Sequence, residues 1–505
     1  MRVLLFEDSN ADNLAPVALL RPVFELICGR ESLRRRLQRW FPDAEFGGWI
    51  RPWMVDAYAE EQPHLKINHL DWVRQGNVLL VNGRWLPERR LTALDFVTHQ
   101  AGYVDGKPAW MLMPGDELSE LLQGDPTTAL TQFASSQRVI PTHGRWIQHP
   151  WDLVNQNAAQ LIRDFADEGV SQCPKFDHVQ VLGDSADVYI SAQAEIDPYV
   201  VIDTRSGPVS IDRDAIIQSF TRIEGPSHIG RGSQIFRALI RKGTTIGENC
   251  RVGGEVEESI MHAWVNKYHE GFLGHSYVCP WVNIGAMSCT SDLKNDYSTV
   301  KVPLQGQMVE TGMSKVGSFI GDHAKTAMDS MFNSGSSIGV MAMVIPGGRL
   351  LPRHIPSFSS VTFGNLVSDW PLDSAIETAQ TMMSRRGQAL TRNAERLLRT
   401  VHQRTEQERQ TALHRASRKQ TVGESPLKIL LPIRTIVAPS SIAGMKSPLI
   451  PIDNCRRSRL ALRLASVSRN SLRNTRSARK TGRASSGLSD SAAIVIRPSI
   501  WTASE

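Results

Sequence analysis

Two patterns of apolar spacing divide the chain. Up to about residue 175, short apolar runs alternate with longer stretches whose apolar positions recur at helical spacing. Val3-Leu4-Leu5-Phe6 and Val78-Leu79-Leu80-Val81 read as buried strands, and the stretches around 30–40, 116–122 and 151–165 read as helices. Strands alternating with helices predict a layered α/β unit with a largely parallel sheet. From about 180 the period becomes six. Ile211, Ile217, Ile223, Ile229 and Ile235 hold one register, which slips by one residue and resumes at Ile240, Ile246 and Val252. Ile190, Ile196 and Ile202 carry the spacing earlier, and Ile320, Thr326, Phe332, Ile338, Val344 and Leu350 carry it later. Neither a helix nor an alternating strand repeats at six. A coil with three short faces per turn does, with one aliphatic side chain per face directed into a stacked core.

One stretch breaks the repeat: KYHEGFLGHSYVCPWVNIGA at 267–286, followed by TSDLKNDY at 290–297. It crowds His, Lys, Asn and Tyr into a scaffold otherwise built from aliphatics, and is where chemistry is expected. Beyond the coil, 373–415 is rich in Ala, Glu, Arg and Leu without Pro and predicts one or two helices. The expected organisation is an α/β unit over 1–175, a coil over 180–365, a helical segment over 370–420, and a Ser/Arg-rich tail over 421–505 without a packed core.

Charge and cysteines narrow the picture. The formal net charge is +6, but from residue 421 onward 14 Lys and Arg face four acids, so the tail carries +10 and the rest −4. The basic balance belongs to the tail and gives no argument for nucleic-acid binding by the folded part. No run of about 18 apolar residues occurs, so no membrane span is expected. The N-terminus turns acidic too early for a signal peptide. Six cysteines at 28, 173, 250, 279, 289 and 455 show no paired spacing, which predicts a reduced, cytoplasmic setting and no zinc site. Cys279 and Cys289 read as small buried apolar residues.

Four motifs in the first unit carry a resemblance: FED at 6–8, LRPVFELICG at 20–29, VNGR at 81–84 and PWDLV at 150–154. As a set they resemble a divergent group of sugar nucleotidyltransferases, enzymes that join a sugar 1-phosphate to a nucleoside triphosphate. That chemistry needs backbone N–H groups and a cation around the triphosphate, and a carboxylate holding Mg²⁺. The resemblance places Arg21 on the phosphates, Asn82 and Gly83 at the nucleotide and sugar phosphate, and the metal on a carboxylate such as Asp8, with Glu7 and Asp12 as alternatives. The sequence departs from the group's usual pattern. The loop after the first strand, 7–14, has no glycine and holds three acids, and neutral Asn82 stands where a metal-binding Asp is usual. Arg21 paired with an acid of the same α/β unit, and Asn82-Gly83 as an ordinary turn, is the competing reading.

The second half resembles the acetyltransferase part of bacterial bifunctional N-acetylglucosamine-1-phosphate uridyltransferase / glucosamine-1-phosphate acetyltransferase. This implies a left-handed parallel β-helix, acetyl-CoA as co-substrate and a homotrimer with acyl-CoA sites between subunits. Matching NIGA at 283–286 and walking back without gaps brings His269 onto the family's general base, a role that needs an imidazole neutral near pH 7. Ala286 falls along acetyl-CoA and Asn283 on the acceptor sugar. The family's phosphate-binding Lys falls in a run that here reads Val256-Glu257-Glu258, its sugar-binding Tyr on Phe272, and an Asn-Tyr pair on Asp292-Leu293. Lys267, Lys294 and Arg241 or Lys242 are the cations left to meet an acceptor phosphate. His269 as a packing residue is the alternative, and His275 a nearby rival base. The expected function is formation of a nucleotide-activated sugar, with acyl transfer as second activity. A sugar-nucleotide-binding regulator without catalysis is the other reading.

Overall fold

The computed structural model describes residues 1–92, 100–123, 138–168 and 178–423. Most of the expected tail, from 424 on, lies outside them, as do Cys173 and Cys455. Met1–Pro426 form one compact unit, so the α/β head and the coil can be described together.

The head is built on a seven-stranded sheet. Its strands run, across the sheet, Arg138–Pro141, Gln100–Val104, Lys107–Pro114, Asn77–Asn82, Arg2–Phe6, Glu45–Trp49 and Lys66–Ile67. The last four are mutually parallel, and Lys107–Pro114 is antiparallel to both its neighbours. Val3, Leu5, Leu79 and Val81 are fully buried on one side and Leu4, Val78 and Leu80 on the other, so the strands read as continuous apolar runs. Chain order reverses beside the first strand: the next two strands go one way and Asn77–Asn82 goes the other. In open α/β sheets the carboxyl ends of the strands at such a reversal form the ligand crevice.

The period of six is a parallel β-helix. Nine parallel strands, from Val188–Ile190 to His354–Ile355, stack into the first face. The second face and much of the third merge into one fourteen-stranded sheet, because Gln234–Ile240 and Arg251–Glu257 run on around the corner between them, while Cys289–Thr290 and Met331–Phe332 pair separately. The predicted isoleucines fill the lumen: Ile211, Ile217, Ile223, Ile229, Ile235, Ile240 and Ile246 are 0% exposed. The slip after Ile235 is a register shift between Phe236 and Leu239. Leu350 corrects the expectation. It is exposed, and Leu351 enters the core instead, since the turn around Gly347 and Gly348 breaks the spacing of six.

The head sits on the outer side of the first face. There the outward side chains Ile260, Tyr277 and Phe319 are fully buried in one cluster with Leu14, Val17, Val23 and Leu26 of the loop after the first strand, and with Trp151 and Val154 of helix Pro150–Glu168. Polar contacts fix the seat. The N–H of Ile27 donates to the Tyr277 hydroxyl at 2.9 Å, and Asn157 bonds Gly243 O, Thr245 Oγ1 and Gly29 N. Three helices follow the coil, where one or two were expected: Leu372–Ser384, Arg392–Arg404 and Glu406–Gly423. Leu397, Leu398 and Val401 of the second share a core with Leu37 and Met54 of the head and Met341 and Phe358 of the coil. No described helix is long and apolar enough to cross a membrane.

Candidate functional site

At the head's crevice the protein's own cations meet the carboxylates. Arg84 donates from Nε to Asp8 Oδ1 at 2.7 Å and from Nη2 to Oδ2 at 2.6 Å, and Asn82 Nδ2 adds a bond to Oδ2 at 3.0 Å. The N–H of Asn10 donates to Oδ1 as well. Burial works to raise the Asp8 carboxyl, but the Arg84 bonds and charge prevail and hold it below its ordinary range. Glu7 is equally engaged, by Arg51 through Nε, Nη2 and its backbone N–H and by the N–H of Val23. Gly83 donates its N–H to Phe6 O, and a Cβ there would meet Phe24, Val23 and Phe6 at 3.0 Å. The donor set does not fit Mg²⁺. Both Asp8 oxygens are saturated by cationic and neutral donors, and no cluster of three metal-ligating side chains exists among the described residues.

Arg21 does not face this crevice. Its guanidinium makes a two-bond pair with Asp322 of the coil, and both side chains are nearly buried. The expectation of a phosphate contact therefore gives way to a structural one: the residue after Leu20 points where the loop meets the coil. Beside this pair, a cavity of about 520 Å³ opens between the loop, the coil corner and the C-terminal helices. Its charges are mostly internally paired, as in Arg34 with Glu25.

The coil's unusual stretch forms the corner between the second and third faces. Tyr268, His269 and Glu270 are exposed there, with the His269 ring edge-on to Tyr268 at 4.9 Å and Tyr268 packed on Phe236 at 4.0 Å. The loop 285–287 lies on the next turn of the coil at the same corner. The N–H of Met287 donates to Glu270 O at 2.8 Å, which stacks Ala286 next to the His269 loop. Gly271 allows the contact: its φ is +134°, and a Cβ would lie 2.2 Å from Ser288 O. Asn283 lies at the end of the second face, its Oδ1 accepting from Asn266 Nδ2 at 2.7 Å. His269, Ala286 and Asn283 are thus brought to one corner.

Lys267 and Lys294 do not join them as expected. Lys267 points inward, 2% exposed, and donates to Gly253 O, His269 O and Gly271 O at 2.6, 3.3 and 2.7 Å. Burial pushes its ammonium down to about 8. Lys294 lies at the other end of the third face and bonds Ser298 Oγ and Thr299 O. That corner carries a departure from the coil over 291–317, whose hairpin of Lys301–Leu304 and Gln307–Glu310 folds toward the head, with Gln305 Nε2 donating to Asp12 O. His275, the rival base, is held between Asp292 (Nδ1 to Oδ2, 2.8 Å) and Glu258 (Nε2 to Oε2, 3.2 Å). Burial opposes its charge, but the two carboxylates win and hold it up to about 9, which makes it a cation rather than a base near pH 7. Cys289 is exposed, against expectation, whereas Cys28, Cys250 and Cys279 are buried.

Some parts of the site were not foreseen. Arg84 enters the sequence pattern only as the last residue of the VNGR motif. Its charge beside Asn82-Gly83 and the acids of the first loop was the available signal. Trp264, Trp281 and His323 recur at the turn between the first and second faces, where Trp264 and Trp281 stack at 4.9 Å, and Arg386 caps Trp264.

Residues 3–168 match the sugar nucleotidyl transferase family. A bifunctional sugar-1-phosphate nucleotidylyltransferase/acetyltransferase of Sulfurisphaera tokodaii is 36% identical over 237 residues, 46% of this chain and 53% of that protein. A bifunctional protein GlmU of Methanocaldococcus jannaschii is 27% identical over 262 residues, 50% of this chain and 57% of that protein. The chain spans about half the length of these curated relatives. Among solved structures, a hexapeptide transferase family protein from Anaplasma phagocytophilum is 14% identical and covers 42% of this chain and 99% of that one, at a TM-score of 0.18. That likeness is too distant to add to the fold.

Proposed function

We propose that this chain is a sugar-1-phosphate nucleotidyltransferase that makes a nucleotide-activated sugar, with an acetyl-CoA-dependent acyltransferase activity on its coil. The match over 3–168 and the activities for which the relatives are named support the head's part. The coil's part is carried by one observation: an exposed imidazole, His269, on a loop that is hydrogen-bonded through Glu270 O to the loop that holds Ala286. In this reading His269 takes the proton from the acceptor amine as it attacks the thioester carbonyl. The thiol of CoA leaves, and the acyl group passes to nitrogen. Asn283 contacts the acceptor, and the backbone at Ala286 lies along the acyl-CoA. Glu257 and Glu258 near the third face argue against an acceptor phosphate placed there.

The assembly proposed is a homotrimer in the cytoplasm, with substrates that are a nucleoside triphosphate, a sugar 1-phosphate and acyl-CoA. One corner of the coil supports association, because Tyr199 and Phe220 stack face to face at 5.6 Å and are each 71% exposed, and Met287, Met328 and Phe363 continue the apolar edge. Light scattering at micromolar concentration is expected to give three times the chain mass. A monomer opposes this.

Thiol release from acetyl-CoA with a panel of amino sugars tests the coil. His269→Ala is expected to lower kcat by about 100-fold or more, and full activity in that variant removes His269 as the base. For the head, pyrophosphate release from pairs of nucleoside triphosphate and sugar 1-phosphate, with and without Mg²⁺, is the assay. A second reading, a head that binds a sugar nucleotide without turning it over, is favoured by the saturated carboxylates of Asp8 and Glu7. Binding without pyrophosphate release in every pair would decide for it.

A further inference from the structure

Lys267 stands where the coil calls for an aliphatic side chain. Its strand, Asn266–Lys267, pairs with Val252 on one side, and on the other Asn266 pairs with Asn283, which puts Lys267 level with Ile284. Val252 is fully buried in the lumen and Ile284 nearly so. A primary ammonium in such a stack needs acceptors, and it has three backbone carbonyls. The reason lies in the turns. Three residues separate the inward positions Val252 and Val256, whereas five separate Lys267 and Leu273 on the following turn. The longer loop bulges from the corner, and between Lys267 and the bond from the Glu255 N–H to Gly271 O its residues have no ladder partner on the turn above. Lys267 Nζ supplies donors to that backbone from inside. It bonds the loop's own carbonyls at His269 and Gly271 and ties them to Gly253 of the turn above. The space around Nζ is close: a Cβ on Gly254 would lie 2.9 Å from it.

We propose that Lys267 is the positioning residue of the coil's reaction: from inside the coil its ammonium fixes the 268–271 loop and thereby sets the imidazole of His269. The proposal rests on the reading of His269 as the base. The loop is also held from the following turn by the Met287 N–H and, at Gly271, from the preceding turn by the Glu255 N–H, so Lys267 removes the freedom left at its His269 end. The desolvated ammonium, with no carboxylate bonded to it, accords with a charge kept for these carbonyls alone.

Lys267→Met keeps the length and removes every donor. It is expected to lower kcat for acetyl-CoA-dependent thiol release by about tenfold to 100-fold through misplacement of the base, with KM for acetyl-CoA within about twofold. Lys267→Gln, which keeps one donor, should fall between, and it makes the same comparison where Lys267→Met does not fold. Amide exchange followed by mass spectrometry supplies a readout that needs no substrate. The 268–271 segment should exchange faster in either variant, while the first face stays protected. Unchanged kcat together with unchanged exchange overturns the proposal, as does a rise in KM alone. Full thiol release in His269→Ala, by contrast, defeats the base reading, and the exchange experiment then decides whether Lys267 orders the loop at all.

Discussion

Asp164 shows how strongly single residues are committed in this head. It accepts from Arg36 Nε at 3.0 Å and Nη2 at 2.8 Å, from Gln160 and from the N–H of Arg30, and neither Arg36 nor Asp164 is exposed. Burial works to raise its carboxyl, and Arg36 more than offsets this. Asp164→Asn leaves a guanidinium buried without countercharge and is expected to destabilise the chain by about 3–5 kcal/mol, read as a lower urea midpoint. Lys267 was the residue most misread from the sequence, as an acceptor contact, although the signal was there. The turn is 17 residues long at this level, from Asn266 to Asn283, so counting back from inward Ile284 lands on Lys267. That His269, Asn283 and Ala286 come to one corner was legible because a gapless match fixes register across adjacent turns. Asp8 and Arg21 were not, because a one-dimensional motif does not reveal which side chain a buried cation will choose.

Among the elements, the coil was the most legible, since a lumen that admits one side chain per face prints its period directly into the sequence. Ile229→Ala, fully buried in that lumen, should cost about 2–5 kcal/mol, measurable by the same urea titration. The insertion between the third and first faces has its own anchor in His275, Asp292 and Glu258. The folded-state pKa of His275, about 9, lies above its ordinary 6.5, so its stabilising protonation is fully present below pH 6.5 and is lost as pH rises through 9. Glu258 and Asp292, both held low, act in the opposite sense and lose their contribution only as pH falls below the carboxylate range. The thermal midpoint should therefore decline between pH 6.5 and 9, and His275→Gln should flatten that decline. The departure at 291–317 was foreseen only as a break in spacing. Its fold toward the head was not, because the apolar partners of Val300, Val302 and Leu304 lie nearly 300 residues earlier.

For the molecule as a whole, the seam between head and coil sets the roles of residues on both sides. Arg21→Met should lower stability by about 3 kcal/mol through the stranded Asp322, with KM for a nucleoside triphosphate unchanged. A selective rise in KM at unchanged stability would instead return Arg21 to the phosphates. The α/β character of the head followed from its apolar runs, but nothing in their spacing said that the loop after the first strand serves the coil. That loop has a consequence for how the protein is made. Leu14, Val17 and Leu26 reach their burial only when Tyr277 and Phe319 are present. Helix Pro150–Glu168 ends about 150 residues before Phe319. At roughly 5–20 residues per second of synthesis, the emerging head waits on the order of 10–30 s with its loop uncovered, and it is in that interval that a holding chaperone has something to bind.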